Sequence, residues 1–319
     1  MTAAGLAGCK CSRAPARGSG AADAAPVASP HASPSCPRFS PGRTTGVVTT
    51  EALTEASGLV ASRRNPGVLW SHNDSGGRAR LYAISEDGRD LGVYVLEGAG
   101  TEDWEDIALG PGPCPNQSCL YIGDIGANKA SRSKIAVYRV PEPEVDTRQR
   151  TPGRHKLVSV DVFWLRYPDR VSRDAETLMV DPRTSDLYVV TKVVLGSPRV
   201  YRERAPLQTG RTMDLALVCS LDLASATGLS LGLVTGGDIS ADGQWLVLRT
   251  YTDAFLWHRQ PGRSIEETLR AAPCRIPLVA EPQGEAIAWA PDNRGYFTMS
   301  EGSKPHIHFF ERLPRGSSR

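Results

Sequence analysis

The chain has 319 residues and carries 37 basic against 35 acidic side chains, a formal charge of +2. That near balance argues against nucleic acid or an anionic membrane surface as the main partner, because each calls for a basic patch. No apolar run approaches the ~18 residues needed to cross a bilayer, so membrane contact is expected only through a lipid anchor, on an otherwise monomeric protein.

Residues 6–9 read Leu6-Ala7-Gly8-Cys9, which resembles the bacterial lipobox and makes Cys9 the candidate lipidation site. Only eight residues precede Cys9, so the usual basic and apolar leader regions are not in the sequence. From there to Pro41 the chain is rich in Ala, Ser, Pro and Gly, with Phe39 as its one bulky aromatic. Such a segment buries too little apolar surface to offset its ordering entropy. Residues 1–43 are therefore expected to form a signal remnant and a disordered tether, 44–313 the folded domain, and 314–319 a disordered tail. This organisation implies an extracytoplasmic protein, envelope-anchored or secreted.

The folded part repeats one unit. It opens with a polar residue and a short apolar strand, at Ser57, Glu105, Glu176, Gly237 and Glu285. A tight turn rich in Asn, Asp, Pro and Gly follows each time, as hairpins require. A second strand comes next, such as Leu120-Tyr121-Ile122 or Trp245-Leu246-Val247-Leu248, then a polar loop and a third strand. A fourth strand is visible after four of the five units. Four antiparallel strands per repeat is the blade of a β-propeller. The expected fold is therefore all-β, a five-bladed propeller. Its last unit runs out of chain after three strands, and the isolated strand at 46–50 can supply the missing outer strand and close the ring. A six-bladed ring, with its extra blade within 141–175, is the alternative. The third and fourth repeats start later than a uniform spacing predicts, which implies insertions at 126–134, 141–154 and 205–213. A short helix is expected over 264–271, with Ser264 as its N-cap.

Seven cysteines suggest an oxidising compartment. Cys114 and Cys119 bracket a short turn and are the expected disulfide. Cys219 and Cys274 each lie in an outer strand, either bridged or as two buried thiols. Cys11 and Cys36 have no assigned partner.

In a propeller the first strand of each blade lines the channel, and its opening residues lie at one mouth. Ser57, Glu105, Glu176 and Glu285 would converge there. Carboxylates that close must be neutralised, by protons or by a cation. A ring of oxygen ligands suits Ca²⁺, so these four are the candidate metal ligands. The alternative is a structural ring bonded to backbone amides or arginines. Loops at the same mouth carry Asp74, Asp124, Asn128, Arg132, Lys192, Arg249, Tyr251 and Glu301, the candidate ligand-binding residues, and also Asp103, Asp174 and Gln283. No nucleophile elbow, phosphate loop or Cys-x-x-Cys pair is present, and no catalytic residue is assigned.

The phrases Trp70-Ser71-His72-Asn73-Asp74-Ser75-Gly76, Asp103-Trp104-Glu105-Asp106-Ile107-Ala108 and Tyr121-Ile122-Gly123-Asp124-Ile125-Gly126 resemble a group of poorly characterised bacterial secreted propeller (lipo)proteins. In architecture the chain is also similar to phytase-like propellers and calcium-activated nucleotidases. That similarity implies a calcium in the channel, carried over only to Ser57, Glu105, Glu176 and Glu285, with Gly237 departing from a complete ring. The expected function is a binding module, with possible calcium, that recognises a small polar ligand or protein partner at the mouth. Metal-assisted hydrolysis of phosphate or carboxylic esters is the alternative.

Overall fold

The computed structural model describes residues 36–74, 77–127, 132–228 and 232–314. Cys9, Cys11 and Asn128 lie outside the described residues.

Five small sheets form the fold. Blade 1 contains Ala56–Ala61, Val68–Asn73, Arg80–Ser85 and Asp90–Leu96. Blade 2 contains Trp104–Pro111, Ser118–Asp124, Ile135–Pro141 and Asp161–Arg166. Blade 3 contains Ala175–Val180, Leu187–Thr191, Arg199–Glu203 and Ala216–Ser220. Blade 4 contains Val234–Ile239, Trp245–Thr250, Ala254–His258 and Cys274–Ile276. Blade 5 contains Gly284–Trp289, Gly295–Ser300 and His306–Glu311. The five innermost strands contact one another in cyclic order, so the ring is closed. The core is accordingly divided into five apolar wedges between adjacent blades. Trp70, Leu81 and Trp104 fill the wedge between blades 1 and 2, and Trp245, Trp289 and Tyr296 the one between blades 4 and 5.

Blade 5 takes its fourth strand from the start of the chain. Arg43–Val47 pairs antiparallel with the third strand, with Arg43 opposite Phe309 and Val47 opposite His306. The closing strand lies three residues earlier than the apolar pattern suggests. At Gly46 a Cβ would fall 1.8 Å from the Asp87 carbonyl oxygen of blade 1, so close approach of the two backbones at the seam requires glycine there.

The preceding residues are also attached to the ring. Phe39 packs on Tyr296 with ring centroids 5.0 Å apart, and Leu313 donates its amide to the Arg38 carbonyl. Cys36 forms a disulfide with Cys274 across 238 residues of sequence. This corrects the expected bridge. Cys114 and Cys119 are thiols, because the blade 2 ladder sets Cys119 opposite Gly110, where its sulfur packs toward Gly112 while Cys114 sits out in the turn. Cys219 is a thiol as well.

The insertions have a structural use. Gly153–Leu157 adds to blade 1 in parallel beside Asp90–Leu96, and Thr212–Asp214 adds to blade 2 in parallel beside Asp161–Arg166. Each covers the outer edge of a preceding blade, which would otherwise offer unpaired backbone groups. The expected helix spans Ile265–Leu269. Ser264 accepts from the Glu267 amide, and the Glu267 carboxylate accepts from the Ser264 amide, a reciprocal cap.

Candidate functional site at the channel mouth

The innermost strand of every blade carries a β-bulge at its first turn. Ala56 and Gly58 pair with Asn73 and His72, leaving Ser57 as the extra residue. The same skip leaves out Glu105, Glu176, Thr235 and Glu285 in blades 2 to 5. A bulge bends its strand and re-aims the extra side chain. All five residues are buried. The fourth-blade member is thus Thr235, two residues before the Gly237 that the repeat alignment selects. The repeat alignment misses it because blade 4 carries no acid at the bulge, while Asp238-Ile239 matches Asp106-Ile107 and draws the alignment onto Gly237.

Two of the bulge residues point to backbone. Ser57 donates to the Glu105 carbonyl at 2.5 Å, and Thr235 donates to the Gly284 carbonyl at 3.1 Å. Each hydroxyl ties its inner strand to the next blade. Ser57 is therefore occupied in a structural bond, and the expected set of four metal ligands does not form one ring.

The carboxylates instead gather on the side of the mouth made by blades 1 to 3. Asp74, Asp103 and Glu105 bring one oxygen each within 4.8 Å of one another, and so do Glu105, Asp174 and Glu176. Glu105 belongs to both groups. Its residue is 3 % exposed, and its Oε1 has no hydrogen-bond partner among the described residues. Burial, with Glu176, Asp74, Asp103 and Asp174 nearby, pushes its carboxyl well above the usual range. Burial also raises Asp174, against the pull of the Ala127 amide it accepts from. Gly126 lines this cluster. A Cβ there would fall 1.9 Å from Glu105 Oε1 and 2.6 Å from Asp103 Oδ2, so only glycine leaves the space open.

The opposite side, from blades 3 to 5, is a connected chain. Lys192 donates to Glu176 and, at 2.8 Å, to the Tyr251 hydroxyl. Tyr251 donates to Glu285 at 3.3 Å, and Gln283 donates to the same oxygen at 3.2 Å. Glu301 shares a hydrogen bond with Glu285. Burial and that carboxylate push Glu301 up to about 9. Burial pushes Glu176 up to about 8, although Lys192 opposes it. Glu301 therefore holds a proton at neutral pH, which this half of the mouth can donate.

Of the expected ligand-binding residues, Asp74, Lys192, Tyr251 and Glu301 stand at the mouth. Three others brace it from behind. Arg249 is fully buried, paired with Glu281 at 2.8 Å and donating to the Ala286 carbonyl. Arg132 pairs with Asp124 at 2.8 Å, and Asp124 accepts from the Glu102 and Asp103 amides. These pairs fix the loops that present Asp103 and Gln283, and leave Arg249 and Asp124 no exposed face for a ligand.

No protein-family model matches the chain, and no curated protein sequence matches it. Solved structures do. The PQQ-bound aldose sugar dehydrogenase of Streptomyces coelicolor superposes with a TM-score of 0.51 at 13 % identity, covering 88 % of this chain and 99 % of that one. A glutaminyl cyclase of Myxococcus xanthus is similar at a TM-score of 0.47 and 12 % identity, over 87 % and 99 % of the two chains. At such identity the likeness to the dehydrogenase concerns the fold alone.

Proposed function

We propose that this protein is an exported recognition propeller whose channel mouth holds a divalent cation, best matched by Ca²⁺, and whose polar ligand or protein partner completes the coordination. The observation that carries this reading is Glu105. A buried carboxylate oxygen with no hydrogen-bond partner, ringed by four further acids, is costly unless a cation meets it. The donors are carboxylate oxygens without His or Cys, which favours a hard cation over zinc.

The proton-bearing chain supports a second reading, metal-assisted hydrolysis of phosphate or carboxylic esters. In that case Glu301 supplies a proton to the leaving group and the cation stabilises developing negative charge. The Cys36–Cys274 bridge fits an oxidising compartment, and no helix among the described residues is long and apolar enough to cross a membrane. Export with lipidation at Cys9 is part of the proposal, and mass spectrometry of the mature N-terminus checks it.

The central test is thermal unfolding with CaCl₂ or EDTA. Saturating Ca²⁺ is expected to raise Tm by about 5 °C or more, and Glu105→Gln to abolish the shift. No shift with Ca²⁺, Mg²⁺ or Mn²⁺ would discard the cation reading. A panel of esters then separates module from hydrolase, since turnover lost in Glu301→Gln is expected only of the enzyme.

A further inference from the structure

A cavity of about 420 Å³ lies on the face opposite the mouth, just past the end of the inner strand Ala56–Ala61. It is enclosed by Arg63 of blade 1 and by the turn that joins the first two strands of blade 2, from Gly110 to Ser118. Its volume falls in the usual range of small-molecule sites. Arg63 is the one charged residue in its lining.

Arg63 is half-buried, and its guanidinium has no ion-pair partner among the described residues. Asp238, Glu142 and Asp242 attract it, but each is engaged elsewhere. Glu142 accepts from Ser62, Trp70 and Ser118. Asp238 accepts from the Ile239 and Trp289 amides. Asp242 accepts from the Ser240 hydroxyl, the Gln244 amide and the Asn293 side chain. Burial accordingly lowers the Arg63 pKa in spite of these acids. Five donors in a rigid fork, drawn partly out of water without an acceptor, are costly until a ligand meets them.

Gln117 supplies a second polar group to the same cavity. Its Oε1 is buried and has no hydrogen-bond partner among the described residues. The Gly112 amide donates to the Gln117 carbonyl at 2.6 Å and closes the turn. A Cβ at Gly112 would fall 2.6 Å from Gln117 Oε1, so the glycine makes room for this amide group. The rest of the wall includes Pro111, Pro113 and Pro115, which have no N–H to donate.

We propose that this cavity is a binding site for a small hydroxycarboxylate, with Arg63 clasping the carboxylate and Gln117 Oε1 accepting from a ligand hydroxyl. The guanidinium fork matches the two oxygens of a carboxylate. A phosphate would bring further oxygens that a proline-lined wall cannot serve. A neutral sugar would leave Arg63 unmet, and a plain fatty acid would leave Gln117 unmet.

Isothermal calorimetry on the intact chain in EDTA tests this, with gluconate, hexanoate and glucose as probes. EDTA removes cations from the mouth, so a calcium-borne signal is excluded. Gluconate is expected to bind in the millimolar range or tighter, and the other two about tenfold more weakly. Arg63→Gln should weaken gluconate about tenfold or more, and Gln117→Leu should reduce it to the level of hexanoate. Gluconate binding that survives Arg63→Gln, that needs Ca²⁺, or that hexanoate matches would overturn the site, as would no gluconate binding by the wild type. Circular dichroism confirms that each variant is folded. An unfolded Arg63→Gln is replaced by Arg63→Lys, which keeps the charge, loses the fork and should bind gluconate about fivefold more weakly; unchanged binding there would also overturn the site.

Discussion

Glu105 and Asp106 are neighbours on one strand, both buried, yet they belong to different chemistries. Asp106 faces the waist of the channel. It accepts from the Ile107 amide at 2.8 Å and, across to blade 3, from the Leu178 amide at 2.9 Å. Asp238 repeats this between blades 4 and 5, accepting from Ile239 at 2.7 Å and Trp289 at 2.9 Å. Glu105, one residue toward the mouth, has an oxygen with no such partner. Burial raises the carboxyls of both Asp106 and Glu105. Burial and a displaced pKa thus fail to separate a structural acid from a functional one, and the inventory of donors around each oxygen succeeds.

The contrast is broken most severely at the waist. Asp106→Ala strips two buried amides of their acceptor and should destabilise the ring by about 4 kcal/mol in urea titration. A loss under 1 kcal/mol would mean that the stitch between blades is dispensable. Next in size is a pH effect. Burial raises Asp238 from 3.8 to about 6, against the pull of the Trp289 amide. The unfolded carboxyl ionises first as pH rises from 4 to 6, so the folded state loses up to about 3 kcal/mol over that window. His72 does the reverse. Burial lowers it from 6.5 to about 4. The unfolded imidazole takes a proton first as pH falls from 6.5 to 4, and stability drops by up to about 3 kcal/mol. Asp238→Asn and His72→Gln should therefore tilt the stability–pH profile in opposite directions, whereas profiles parallel to the wild type would refute both assignments.

At the mouth the sign changes. Without cation, Glu105→Gln removes a charge from among four other acids and should stabilise the protein by about 1 kcal/mol, while a loss of stability in EDTA would assign Glu105 to the waist class. The smallest stability effect is expected for Gly126→Ala. The flexible end of Glu105 can move aside, so Tm should change by under about 2 °C, yet the displaced carboxylate should lower Ca²⁺ affinity at least tenfold.

The architecture was legible in sequence because hairpin turns and apolar strands recur around the chain, and because an orphan strand before the first repeat demanded an edge to pair with. Glu105, Glu176, Asp74 and Lys192 were legible as mouth residues for the same reason. Thr235 was hidden because blade 4 carries no acid at the bulge, and Asp238-Ile239 imitates Asp106-Ile107 two residues further along its strand. Asp103 and Asp174 were visible as loop acids, but their significance depends on Glu105 leaning toward both, which only geometry provides. Arg249 looked available because the acid that buries it, Glu281, lies 32 residues away. The Cys36–Cys274 bridge joins segments 238 residues apart, and no local spacing announces it.

The direction of the strands sets how the protein is presented. Every inner strand starts at the mouth and runs to the opposite face, so second strands climb back and third strands descend again. Arg43 pairs with Phe309 near the lower end of its partner strand and Val47 with His306 at the upper end. The chain therefore enters from the face opposite the mouth. Arg38 and Leu313 are bonded there, so the chain also leaves on that side. In the anchored form proposed above, the described chain would lead to its anchor from the face away from the acidic mouth, so the anchor and a ligand would not compete for one face.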